Sequence, residues 1–254
     1  MSGSNRTIEV CLTPALIHLH DISNAVVVVI DVLRATSSMC VAFSYGVKSI
    51  VPVATVEESI AFKEKGFLIG AERNGEMLDG FDIGNSPFSY MDEKVKGRDI
   101  ALTTTNGTQA IAASKGAKQI VVGSFLNLDA LCNWLASQDG NIVLLCSGWK
   151  NSVNMEDSLF AGAVVNQMRG EFEFTNLRDT AIITERLYLL AKDNLNGFLE
   201  ESSHRNRLKK LNIDKDIEYC LIPNQTPVVP GIINGVMVDL LKMPDLAVSD
   251  NKHL

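Results

Sequence analysis

The sequence predicts an α/β fold: a three-layer α/β/α arrangement on a largely parallel or mixed sheet, with a helical C-terminal segment. Three observations lead there. Six short apolar, β-branched runs recur, most are separated by stretches with helical spacing, and the chain turns helical and more charged after residue 176. Continuous apolar strands alternating with helices are the pattern of a sheet covered on both faces.

The predicted strands are Ile8 to Leu12, Ala25 to Ile30, Ser49 to Val53, Ile100 to Leu102, Gln119 to Val122 and Ile142 to Leu145. Between most of them lie predicted helices at Ser37 to Tyr45, Val56 to Lys65, Gly107 to Lys115 and Leu128 to Ser137. Asn74 to Val95 has three glycines, a proline and few apolar runs, so it reads as a long ordered loop, a type of segment often functional. Leu177 to Cys220 reads as helical, either a small subdomain or a cover over one sheet face, and strand-like pieces return at Thr226 to Val229 and Gly235 to Leu240. With 254 residues and 46% hydrophobic content, the whole is read as a single domain with a sizeable core.

Charge and composition narrow the function. The chain carries 23 Lys and Arg against 30 Asp and Glu, with no dense basic cluster, so a nucleic-acid partner is not expected. The longest apolar run, Ala25 to Ile30, is too short for a bilayer, and MSGSNRTIEV has no basic-then-apolar leader, so the expected compartment is the cytoplasm, with no membrane partner. Five scattered cysteines without a CxxC pair read as buried free thiols. The four histidines lie apart from the polar clusters and give no signal, and HExxH, GxSxG and Walker A patterns are missing. A haloacid-dehalogenase assignment fails because the second acid that it needs would fall at Leu33.

The informative feature is where the apolar runs stop. In a parallel sheet, ligands bind beyond the carboxyl ends of strands. Four such ends run into DVLRAT (Asp31 to Thr36), TTTNGT (Thr103 to Thr108), GSFLN (Gly123 to Asn127) and CSGWKNSVNMED (Cys146 to Asp157), and are expected to converge on one pocket. Asp31 at a strand end can hold a metal, act as a base or attack phosphorus. Arg34 offers a planar fork for phosphate oxygens, and Thr36 is either a helix cap or a ligand. The alternative for all three is a plain turn with a solvated arginine. In the second cluster, the hydroxyls and amides of Thr104, Thr105, Asn106, Gly107 and Thr108 form either an anion cradle or an ordinary Asn-Gly turn. A glycine-rich stretch, Gly70 to Pro87, brings Glu72, Arg73, Asn74, Asn85 and Ser86, or is simply a solvated acidic loop. Glu156 and Asp157 open a helix, where acids suit the helix dipole without any catalytic role. Read functionally, one of them ligates Mg²⁺, a cation that favours carboxylate oxygens and water.

Taken in order, the motifs resemble the 2-phosphosulfolactate phosphatase family. The matching pieces are VVIDVLRATSS (Val28 to Ser38), AERNG (Ala71 to Gly75), GFDIGNSP (Gly80 to Pro87), TTTNGT, GSFLN, EDSLFAG (Glu156 to Gly162), SSHRNRL (Ser202 to Leu208) and Asp216. The likeness spans about Val26 to Pro230. Ala71 stands where the family has glycine, and Gln109 where a basic residue is expected. The resemblance implies removal of phosphate from 2-phospho-3-sulfolactate with Mg²⁺, its product feeding coenzyme M synthesis or another sulfonate pathway. On chemical grounds, Asp31, Glu72 and Asp157 are assigned to the metal. Asp31, Arg34 and Glu156 are assigned to catalysis, and Arg34, Thr36, Arg73, Asn74, Asn85, Ser86 and Thr104 to Thr108 to the substrate. The expected partner is a small anionic phosphorylated substrate, with a homodimer left open. The rival reading is a small-anion binding protein without turnover.

Overall fold

A computed structural model describes residues 6–73, 76–171 and 176–243. Among these, eleven strands form one mixed sheet. They are β1 (Thr7–Cys11), β2 (Ala25–Ile30), β3 (Ser49–Pro52), β4 (Leu68–Arg73), β5 (Glu76–Met77), β6 (Asp99–Thr103), β7 (Gln119–Gly123), β8 (Asn141–Cys146), β9 (Asn176–Leu177), β10 (Pro230–Ile233) and β11 (Val236–Asp239). The helices are α1 (Ala35–Ser44), α2 (Val56–Lys63), α3 (Gly107–Ala113), α4 (Leu128–Ala136), α5 (Met155–Glu171), α6 (Asp179–Ala191), α7 (Leu195–Phe198), α8 (Ser203–Lys209) and α9 (Asp214–Cys220). The three-layer α/β reading holds, and the sheet is mixed.

Two parallel blocks make up most of the sheet. β7, β2, β8 and β1 form one, and β4, β6 and β3 the other. The hairpin β10–β11 is inserted between them, antiparallel to β7 on one side and to β3 on the other. The blocks therefore run in opposite senses. Even so, Asp31 after β2, Glu72 near the end of β4 and Thr105 after β6 line one cleft.

β2 is the axis of the molecule. All six of its residues are buried. Val26, Val28 and Ile30 face a core with Leu131, Leu135 and Phe160 of α4 and α5. Val27 and Val29 face α1, where Met39 and Phe43 also meet Ile50, Ile100 and Leu102 of the other block. Each buried aliphatic side chain contributes about 1.5–3 kcal/mol, so the register of β2, and with it the position of Asp31, is firmly set. Helices α6 to α9 contribute Ala181, Leu195, Leu208 and Ile217 to the α5-side core. All five cysteines are buried, and none is in a disulfide. No described helix is long and apolar enough to cross a membrane.

Three elements differ from the sequence reading. β4 lies where the glycine-rich loop was expected to begin, and the loop itself holds β5 and two 3-10 turns, Pro87–Tyr90 and Glu93–Val95. The strand expected at Thr226 to Val229 begins instead at Pro230, because Thr226 N–H is taken by Leu126 O and Val229 N–H by Asp239 Oδ1.

Candidate active site

The turn from β2 into α1 is tied to itself. Asp31 N–H donates to Thr36 Oγ1 at 3.1 Å, Thr36 N–H to Asp31 O at 3.0 Å, and Ala35 N–H to Asp31 Oδ1 at 3.4 Å. Thr36, expected on the substrate, is fully buried and turned to this backbone contact. The Asp31 carboxyl is left at a cleft with only 7% exposure. Burial pushes its pKa up to about 6, opposed by His204 and reinforced by Glu72 and Glu156.

The other block closes the cleft from across α1. Glu72, last but one in β4, lines it and accepts Thr105 N–H on Oε2 at 3.3 Å. Asn85, Thr105 and Asn106 also line it. Thr105 Oγ1 and Asn85 Oδ1 are buried and have no hydrogen-bond partner. Thr104 and Thr108 instead use their groups on each other: Thr108 N–H donates to Thr104 Oγ1 at 3.1 Å, and Thr108 Oγ1 to Thr104 O at 2.7 Å. Gly107 must be glycine, since a Cβ there would stand 2.9 Å from Ala35 Cβ and 3.3 Å from Asp31 Oδ2. Arg73 donates to Glu72 O at 2.7 Å and to Thr103 Oγ1 at 3.2 Å, and Ser86 sits before the Pro87–Tyr90 turn, so neither is among the cleft-lining side chains. Asn74 lies outside the described residues.

The third wall comes from α5 and the loop before it. Both oxygens of Asp157 are engaged: Oδ1 accepts Val32 N–H at 2.9 Å and Oδ2 accepts Gly148 N–H at 3.0 Å. Asp157 thus clamps the loop after β2 to the loop after β8. Burial, with Glu156 and Asp31 nearby, raises its carboxyl well above the ordinary range. Glu156 is fully buried, with Oε1 hydrogen-bonded to His204 Nδ1 and Oε2 unpartnered. Asn154 Nδ2 lies 3.3 Å from the same ring nitrogen. The loop after β8 is tight. Trp149 and Ser152 exchange backbone hydrogen bonds around Lys150 and Asn151, both at positive φ, and a Cβ on Gly148 would strike Ser152 O at 2.2 Å. It presents Trp149 to the cleft.

The fourth wall is the helical segment. α8 supplies His204, Arg207 and Leu208, and α9 supplies Asp216, which pairs with Arg34. Arg34 therefore lines the cleft as a buried, ion-paired side chain. The histidine expectation is corrected here. His204 stands at the site, and the motif SSHRNRL is the sequence signal that carries both it and Arg207. GSFLN is corrected in the other sense. Ser124 and Asn127 cap one another, Asn127 Nδ2 also reaches Val228 O at 3.1 Å, and none of that turn lines the cleft.

The family model for 2-phosphosulpholactate phosphatase matches residues 11–235. A protein of Thermotoga petrophila is 41% identical over 211 residues, covering 83% of this chain and 90% of that protein. One from Thermotoga maritima is 40% identical over the same length and coverage. One from Clostridium acetobutylicum is 36% identical over 217 residues, 84% of this chain and 92% of that protein. Each is named a probable 2-phosphosulfolactate phosphatase. This chain belongs to the 2-phosphosulfolactate phosphatase family. The matched span contains every wall of the cleft, from Asp31 to Asp216, so family membership and site geometry concern the same residues.

Proposed function

We propose that the chain is a magnesium-dependent phosphatase that converts 2-phospho-3-sulfolactate and water to sulfolactate and inorganic phosphate. The observation that carries this reading is the gathering of Asp31 and Glu72 at one cleft with His204, which is itself held by buried Glu156. Carboxylates beside a phosphate dianion are unfavourable unless a cation intervenes, so an anion-binding protein without turnover has no use for them.

The donor set fits Mg²⁺. Asp31 and Glu72 offer carboxylate oxygens at the cleft, and behind them Glu156 holds His204. No three His, Cys, Asp or Glu side chains among the described residues form a ready-made cage. Mg²⁺ suits such a site, since it keeps several waters and takes one or two carboxylates plus substrate oxygens. Asp31 and Glu72, the two acids that line the cleft, would hold it, and its charge would offset that of the phosphoryl group. Asp157, with both oxygens on backbone amides, would keep the loop that carries Asp31 in place.

In the reaction a water oxygen bonds to phosphorus. The bond between phosphorus and the C2 oxygen breaks, its electrons stay on that oxygen, and the oxygen takes a proton. His204 is suited to handle that proton: Nδ1 is committed to Glu156, which leaves Nε2 for exchange. Arg34, fixed by Asp216, and the unpartnered Thr105 hydroxyl would orient the phosphate.

The test is phosphate release from synthetic 2-phospho-3-sulfolactate with Mg²⁺, and again after chelation. Turnover that stops in chelator and returns with Mg²⁺ is expected. Undiminished turnover by metal-free protein in excess chelator overturns the metal assignment, and no release under any condition overturns the phosphatase.

A further inference from the structure

The substrate of the proposed reaction carries more negative charge than the phosphate alone, and the cleft must hold that charge apart from the carboxylates. Its cations are not equivalent. Arg34 is ion-paired with Asp216. Arg73 donates to Glu72 O and Thr103 Oγ1 and stands back from the cleft. Arg207 lines the cleft, and its Nε is buried with no hydrogen-bond partner. Its guanidinium lies 4.7 Å from the centre of the Trp149 ring, which Lys150 Nζ also approaches at 4.6 Å.

We propose that Arg207, backed by Trp149, is the seat of the substrate's sulfonate and sets the enzyme's preference for sulfonated phosphate esters. The proposal rests on the phosphatase reading above. A sulfonate bears a fixed charge on three weakly basic oxygens, so it competes poorly for a hard cation and matches the planar fork of a guanidinium. The phosphate and carboxylate of the substrate are the better metal ligands and belong with Asp31 and Glu72. Trp149 packs against the guanidinium and shields it in part from water, which strengthens an ion pair formed there. Burial lowers the Arg207 pKa from its ordinary value while Glu72, Glu156 and Asp31 act to raise it. A bland role remains for comparison: Arg207 only balances that acidic wall, in which case it would serve every phosphate ester alike.

The experiment compares kcat/KM for 2-phospho-3-sulfolactate with that for 2-phospholactate, which keeps phosphate and carboxylate but lacks the sulfonate. Arg207→Gln is expected to lower the ratio of the two at least thirtyfold, mainly through KM, and Arg207→Lys to recover part of it. A ratio within threefold of wild type overturns the proposal, whether both activities fall or neither does. Should Arg207→Gln fail to fold, Arg207→Lys and Trp149→Leu take its place: a ratio lowered threefold or more supports the seat, and an unchanged ratio overturns it. Should wild type release phosphate from neither ester, the phosphatase reading fails by itself. Calorimetry with 3-sulfolactate then decides: tenfold weaker binding by Arg207→Gln supports the seat, and equal or undetectable binding to both proteins overturns it.

Discussion

The turn after β6 and the turn after β7 both lead from a parallel strand into a helix through hydroxyls and an asparagine, Thr103 to Gly107 in one and Ser124 to Leu128 in the other. In the turn after β7 every polar group has an internal partner: Ser124 and Asn127 cap each other, and Asn127 also holds Val228 O. In the turn after β6 the Thr105 hydroxyl is buried at the cleft with no partner at all. A buried polar atom without a partner costs about 1–3 kcal/mol, a cost that a bound anion can relieve. Position at a strand end therefore does not by itself mark a ligand site; between these two turns, the unsatisfied hydroxyl that lines the cleft makes the difference.

The sharpest way to break this comparison is at Asp31, the buried carboxyl at the cleft. Asp31→Asn keeps size and removes charge, and turnover is expected to fall by roughly a hundredfold or more, about 2.7 kcal/mol of barrier. Intact mass must exclude deamidation. Retention of a third of wild-type turnover removes Asp31 from the chemistry. The same variant in metal-free protein tests the cost of the buried charge. The folded pKa of about 6 lies above the ordinary 3.8, so wild type loses stability as pH rises through about 6, whereas the Asn variant does not. The Tm of Asp31→Asn should thus match wild type below about pH 4 and exceed it above about pH 6. A gain that is equal at both ends of this range refutes the electrostatic explanation.

On the satisfied side, Asn127→Ala should do the reverse. It strips partners from Val228 O and the Ser124 N–H, costing about 1–3 kcal/mol, or a Tm fall of roughly 2–12 °C for a domain of this size. Kinetics per folded molecule should stay within about twofold. A tenfold loss of kcat/KM at unchanged Tm would place this turn in the site after all.

What the sequence made legible follows the same division. β2, β7 and β8 are readable because continuous apolar runs have few other uses, and Asp31 is readable because it follows directly on such a run. β4 is not, because LIGAER contains a glycine and two charges, and only its pairing on β6 makes it a strand. The cleft's fourth wall is hidden for a physical reason. His204, Arg207 and Asp216 lie in short, charged helices whose composition matches any solvated surface. Their burial depends on pairings such as Arg34 with Asp216, 182 residues apart, which no local spacing encodes. Only the motif resemblance pointed to that segment, and it did so without assigning roles.

The smallest and most discriminating contrast lies between adjacent residues. Thr104 and Thr105 are chemically identical, and the sequence gives both the same reading. Thr104 Oγ1 accepts Thr108 N–H inside the turn, whereas Thr105 Oγ1 has no protein partner and its residue lines the cleft. Valine in either place removes the hydroxyl while keeping shape. Thr104→Val leaves the Thr108 N–H unsatisfied, so it should lose about 1 kcal/mol of stability, a Tm fall of roughly 2–4 °C, with KM close to wild type. Thr105→Val breaks nothing inside the protein, because its N–H still reaches Glu72. It should keep Tm within about 2 °C and raise KM roughly fivefold, the equivalent of about 1 kcal/mol of lost contact to the substrate. Melting curves and Michaelis constants for both variants separate the two roles. If Thr105→Val lowers Tm and leaves KM unchanged, its hydroxyl has a structural partner, and the distinction between the two threonines disappears.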